Sequence, residues 1–204
     1  MQQGVRARHE PGQLLLRQGD PGGWILLSLS GRLKVIYAEP DGRDLVLGIR
    51  GPGDLVGEMS EREGFPRMAN VTAIEPGITS RMSDLAFTRL VQRLGVGSEL
   101  NRYIVGKLRA SAAHAWQLAH HTTPARLADF LQALVEAAGP DHSTPTTIPM
   151  SQVELASALG LARSAVTPVL AEWKAAGIIG VGRGKLQVVD VTRLAEADVS
   201  SSGQ

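Results

Sequence analysis

Two groups of residues have types and spacing suited to chemistry. Gly57-Glu58 and Arg67-Met68-Ala69 stand in one long charged loop of a turn-rich region. A glycine lets backbone approach an anion, an arginine forks onto a phosphate, and a carboxylate accepts from a sugar hydroxyl. Taken alone, Glu58 and Arg67 also read as a solvated salt bridge. The second group is Ser151, Gln152, Arg163, Ser164, Thr167, Arg183 and Lys185. Arg163, at a helix start, can pair bidentately with guanine, while Ser164 and Thr167 are short hydroxyls suited to phosphate or shape. Ser151 and Gln152 suit phosphate contacts, and Arg183 with Lys185 suits a flanking nucleic-acid backbone. The same segment also reads as a helical hairpin for protein contacts. No nucleophile–base set or carboxylate pair accompanies these groups. His9, His114, His120 and His121 do not form a metal site, since the adjacent His120-His121 points two ways on one helix. No enzyme is expected.

The 204 residues are 43% hydrophobic and 20% charged, enough for packed cores in at most two modest domains. Cysteine is absent, which removes disulfides, iron–sulfur clusters and thiolate zinc, and points to a reducing cytoplasm. No apolar run approaches the ~20 residues of a membrane span, and the opening MQQGVRARHEPG is not a signal peptide. Net charge is +1, but residues 122–204 carry 6 basic against 8 acidic side chains. A nucleic-acid reader there depends on a few well-placed cations.

Residues 5–82 alternate turn residues with short apolar runs at 13–17, 24–29, 32–37, 45–49, 70–74 and 78–82. That rhythm predicts an antiparallel β sandwich or barrel, with a hairpin turn at Pro40-Asp41-Gly42. From Ser83 the pattern becomes helical. A short helix over 84–94 stops at Gly95-Val96-Gly97, and Ser98-Glu99 opens a long helix over 99–121, about 34 Å long. Leu100, Ile104, Leu108, Ser111/Ala112, Ala115 and Leu118/Ala119 form a heptad-like stripe, read either as core packing or as a parallel homodimer seam. Thr122-Thr123-Pro124 caps a helix over 125–138, and 141–149 reads as a loop. Ser151 with Glu154 makes a capping box for the next helix. A second runs from Ala162-Arg163 to Ala176, and a hairpin over 178–191 turns at Gly182-Arg183-Gly184: a winged helix-turn-helix. The expected divisions are 1–83, 84–121 and 122–193, followed by a flexible tail, 194–204.

This order resembles the CRP/FNR superfamily of bacterial transcription regulators, from Val5 to about Thr192. The most specific pieces are residues 51–58 (GPGDLVGE), residues 67–71 (RMANV) and the block from Ser151 to Ile179. The resemblance implies an α+β chain: a jelly-roll effector domain, a long dimerisation helix and a DNA-binding winged helix. It implies double-stranded DNA, a second copy and RNA polymerase as partners, no membrane, and cyclic AMP or another nucleotide as effector; no cofactor is certain. In the cyclic-AMP branch the Gly-Glu and Arg-Ser-Ala motifs hold ribose and phosphate, and a Thr-Ser pair on the long helix reaches adenine. Gly57, Glu58, Arg67, Ala69 and Ser111 occupy those positions. Met68 replaces the serine, Ala112 replaces a hydroxyl, and the loop between Glu58 and Arg67 is one residue shorter. In the reader, Ser164 replaces a glutamate and Pro168 an arginine, so the helix is expected to kink there or start later. Leu100, Ile104, Leu108 and Ala115 are the expected dimer residues. A second reading stays open: a ligand- or partner-binding module whose winged helix has lost DNA affinity.

Overall fold

The computed structural model describes residues 4–39, 44–61 and 65–199. Every expected apolar run becomes a strand, because each is bounded by turn residues and presents one apolar face. The strands are β1 (Val5–His9), β2 (Leu14–Leu16), β3 (Trp24–Ser30), β4 (Leu33–Ala38), β5 (Asp44–Arg50), β6 (Leu55–Val56), β7 (Asn70–Ala73) and β8 (Gly77–Ser83). A single helical turn, α1 (Glu58–Glu61), follows β6. The strands build two four-stranded antiparallel sheets, ordered β1-β8-β3-β6 and β2-β7-β4-β5. Leu16, Leu26, Leu33, Val56, Val71 and Ala73 fill the jelly roll between them. Each fully buried leucine contributes about 1.5–3 kcal/mol. β1 and β6 were not expected: β1 is an exposed edge strand with arginines in it, and β6 is two residues long. The turn expected at Pro40-Asp41-Gly42 lies outside the described residues; β4 and β5 pair antiparallel up to Ala38 and Asp44 on either side of it.

Capping residues set the helices. The Ser83 hydroxyl accepts from Ala86 N to open α2 (Asp84–Leu94), and Gly95 closes it in the left-handed region. The long helix α3 spans Gly97–His120, about 36 Å. The expected start at Ser98-Glu99 is corrected: Val96 O already accepts from Leu100 N, so the ladder begins at the chain's exit from α2 and no side chain caps it. Thr122 caps α4 (Thr123–Glu136), with Pro124 in its first turn.

In the last third, β9 (Thr147–Ile148) forms inside the segment read as loop and pairs with the wing. α5 (Gln152–Ala158) and α6 (Arg163–Ala175) meet at 120°, within the helix-turn-helix range of about 90–120°. α6 starts at Arg163 and continues through Pro168, so the later start is not seen. The wing is β10 (Ile179–Gly182) and β11 (Lys185–Val188). The flexible tail expected from residue 194 is corrected by α7 (Val191–Val199), whose Leu194 is fully buried in the same core as Leu127, Leu131, Leu155, Leu170 and Trp173. Ile36, Val46 and Ile74 of the jelly roll join that core, so the jelly roll and the helix-turn-helix unit pack on each other. Among the described residues no single helix is long and apolar enough to cross a membrane.

Candidate effector pocket and nucleic-acid interface

Of the expected effector residues, Gly57, Glu58, Arg67, Met68 and Ala69 come together where β6 hands over to α1, and Ser111 does not join them. Gly57 sits at φ +90°, and a Cβ there would lie 2.5 Å from an Arg67 guanidinium nitrogen, so glycine is required both by its backbone and by its neighbour. Arg67 is buried, its backbone bonded to Asp20 O and Gly19 N at 2.8 Å each. Its Nη1 donates to Gly57 O at 2.6 Å and its Nη2 to Trp24 O, with the Trp24 ring 5.4 Å from the guanidinium carbon. Glu58 is buried too, and Lys107 of α3 donates to its Oε1 at 2.7 Å and to Leu55 O at 2.5 Å. Burial pushes the Lys107 ammonium below the usual lysine range, although Glu58 pulls the other way.

One turn earlier on α3, Tyr103 OH donates to Asp54 Oδ1 at 2.9 Å and accepts from Leu55 N at 3.0 Å. Burial, with Asp54 and Glu58 nearby, raises its phenol well above the usual value. Tyr103 and Lys107 therefore tie the long helix to the phosphate-type motif. Their separation from Glu58 in sequence, with no local signal, kept them out of the sequence reading. The remaining cavity is about 70 Å³ and is lined by Ser60, Arg67, Met68, Ala69, Arg50 and Lys107, among others. That is well below the roughly 300–1,000 Å³ of small-molecule sites. Met68 stands at its rim, 53% exposed, while Ala69 is buried and Ser111 is exposed one turn beyond Lys107.

The expected dimer residues separate. Leu100 and Ile104 are half-buried and line a cavity with Ile25, Phe87 and Val91. Leu108 is 62% exposed and Ala115 is exposed; with exposed Val105, Ala112, Trp116 and Ala119 they form an apolar ridge along one face of α3. The stripe thus splits into an inward face and an outward face one residue apart.

At the other end, the capping box is present: Glu154 N donates to Ser151 Oγ and Ser151 N to Glu154 Oε2. The Ser151 oxygen is thereby committed to the helix, leaving its O–H as donor. Arg163, Ser164, Arg183 and Lys185 are exposed, the first two at the start of α6 and the others on the wing. The Thr167 hydroxyl turns back to Arg163 O at 2.9 Å, with Gln152 Oε1 at 3.5 Å, so it serves the helix as well as any ligand. Two arginines outside the expected set hold this unit: Arg126 of α4 donates to Leu159 O, and Arg193 of α7 donates to Ala176 O at 3.0 Å. Among the described residues no group of acidic and histidine side chains could hold a metal ion.

Comparison with known proteins decides the family. Residues 6–94 match the cyclic nucleotide-binding domain and residues 125–197 the Crp-like helix-turn-helix domain. The CRP-like cAMP-activated global transcriptional regulator of Mycobacterium tuberculosis is 28% identical over 187 residues, 90% of this chain and 84% of the relative. The chain belongs to the CRP/FNR family of transcription regulators. The c-di-GMP responsive global regulator CLP of Xanthomonas campestris superposes with a TM-score of 0.70 at 25% identity, over 91% of this chain and 94% of that one. FixK2 from Bradyrhizobium japonicum gives 0.77 at 20% identity, over 96% and 97%, a likeness of fold. The regulator is a DNA-binding protein with a cyclic nucleotide-binding domain, and its family is one of regulators, not enzymes.

Proposed function

We propose that this regulator acts in the cytoplasm as a homodimer on two DNA half-sites, and that its effector domain has weakened or lost cyclic-AMP binding. The observation that carries the effector reading is the Lys107–Glu58 pair at 2.7 Å: the carboxylate that would receive a sugar hydroxyl is already answered by a cation of the same chain. Arg67 likewise spends donors on Gly57 O and Trp24 O. Met68 and Ala112 offer no hydroxyl where the cyclic-AMP branch has one. Two missing hydrogen bonds at about 0.5–1.5 kcal/mol each weaken affinity by roughly one to two orders of magnitude. The exposed ridge through Leu108 supports the dimer, and the exposed Arg163, Arg183 and Lys185 support a DNA reader; RNA polymerase as a further partner rests on the family alone. Calorimetry with cyclic AMP, and separately with c-di-GMP, tests the effector reading. Weak or absent cyclic-AMP binding is expected. Submicromolar binding abolished by Arg67→Ala would overturn it. Selection from a random DNA library tests the reader, and recovery of no preferred site would favour a partner-binding module instead.

A further inference from the structure

Where the jelly roll meets the reader, one guanidinium is used to saturation. Arg32, the residue before β4, is 0% exposed. Its Nε donates to Glu75 Oε1 at 2.9 Å and its Nη2 to Glu75 Oε2 at 2.6 Å. The other Nη2 hydrogen reaches Thr147 O at 2.7 Å, and Nη1 reaches Leu134 O at 3.1 Å and Pro145 O at 3.3 Å. Each of the five N–H groups of an arginine therefore has an acceptor, two on the effector side and three on the reader. Glu75 is itself fixed by Arg32 N at 2.9 Å and meets His142 Nε2 of the reader at 3.2 Å.

The apolar seam of Ile36, Val46 and Ile74 beside it is non-directional and tolerates sliding. A planar fork held at three separate backbone carbonyls does not. In this docking Arg163, Ser164, Arg183 and Lys185 stay exposed, so the orientation leaves the DNA-facing surface open.

We propose that Arg32 is a positioning residue for DNA recognition: it pins the reader to the effector domain in one orientation and so sets the spacing of the two recognition helices in the dimer. Nothing in the family comparison assigns this role. The DNA arm of its test rests on the dimer proposed above; the distance arm does not.

The chain has no cysteine, so Arg89→Cys on α2 and Ala171→Cys on α6 accept spin labels cleanly; both sites are exposed. Labelled chains diluted into unlabelled ones report the distance within one protomer. Arg32→Gln and the pair Arg32→Gln/Glu75→Gln are compared with the parent, the pair keeping the fold where a lone buried Glu75 would not. A single narrow distance is expected in the parent and a broad one in the double variant with its circular dichroism unchanged, whereas Arg32→Gln alone is expected to lose circular dichroism signal as well. Affinity for two half-sites is expected to fall by about one to two orders of magnitude as simultaneous engagement is lost, while affinity for an isolated half-site holds. A narrow distance retained in the double variant overturns the proposal. So does an equal loss on single and paired sites, or tighter binding. Should light scattering show the parent to be a monomer, the dimer reading falls and the label distances decide the role of Arg32.

Discussion

Replacing Lys107 with methionine tests whether the effector pocket is held shut by its own ion pair. The side chains of Lys107 and Glu58 are 11% and 4% exposed, at 2.7 Å. A solvated pair of this kind is worth about 0–1 kcal/mol. A desolvated one behaves differently, since removing one partner strands the other charge at about 3–5 kcal/mol. Lys107→Met keeps an unbranched apolar stem and removes the ammonium, which lies 4.6 Å from the centre of the Tyr103 ring and donates to Leu55 O as well as to Glu58, so most of the cost falls on the stranded Glu58 carboxylate. For a chain of this size each kcal/mol moves Tm by about 2–4 °C, which gives a drop of roughly 6–20 °C. Adding Glu58→Gln removes the stranded charge, and the double variant should regain most of that loss. The assay is thermal unfolding of the four proteins, read as a double-mutant cycle. A loss below about 1 kcal/mol in Lys107→Met, or strict additivity in the double variant, would show that water already screens the pair and refute the closed-pocket reasoning.

Leu108→Glu should leave each protomer folded, because Leu108 is exposed within it, and light scattering should show monomer; an unchanged dimer moves the seam elsewhere. Arg163→Ala should cost about 1–3 kcal/mol and relax preference at one base pair, whereas Lys185→Ala should weaken all sequences alike and shallow the salt dependence by about one unit of slope. Binding to matched and single-substituted sites at several salt concentrations separates them, and the reverse pattern refutes the docking of α6. His9 is buried, and burial pushes its imidazole below the usual value against the opposing pull of Glu75 and Glu10. The unfolded chain therefore binds the proton first, so stability should fall as pH drops below about 6.5. His9→Gln should flatten that slope in urea titrations at stepped pH; an unaltered slope places the proton elsewhere.

Signals that live within a few residues were legible. The caps at Thr122 and Ser151, the stop at Gly95 and Pro124 in a first turn all act on their own helix. There are two exceptions. Ser98-Glu99 reads as the start of α3, yet the ladder opens before it without a side-chain cap. α7 lies in a segment read as a Ser/Gly tail, where Asp190 Oδ1 accepts from Arg193 N at 2.9 Å and Leu194 follows as its buried anchor. β1, β6 and β9 are short or lack an apolar run, and each exists because a partner strand supplies its hydrogen bonds. No pattern inside them distinguishes them from loop.

The site divides along the same physical line. Gly57, Glu58 and Arg67 stood out through the resemblance and through a glycine read as facing an anion; the structure brings them together, with the glycine against the Arg67 guanidinium and Glu58 paired with Lys107 instead of Arg67. Their partners were not, since Lys107 stands far along the chain on a helix whose stripe has two faces. A heptad count places Leu100 and Leu108 together, yet α3 packs one face on α2 and β3 and leaves the other bare. The choice of face is made by Tyr103 and Lys107, polar residues that bond Asp54, Leu55 and Glu58 and so set the helix's rotation. Hydrophobic spacing fixes how many faces a helix can bury. Here two polar anchors decide which of them turns inward and which stays exposed.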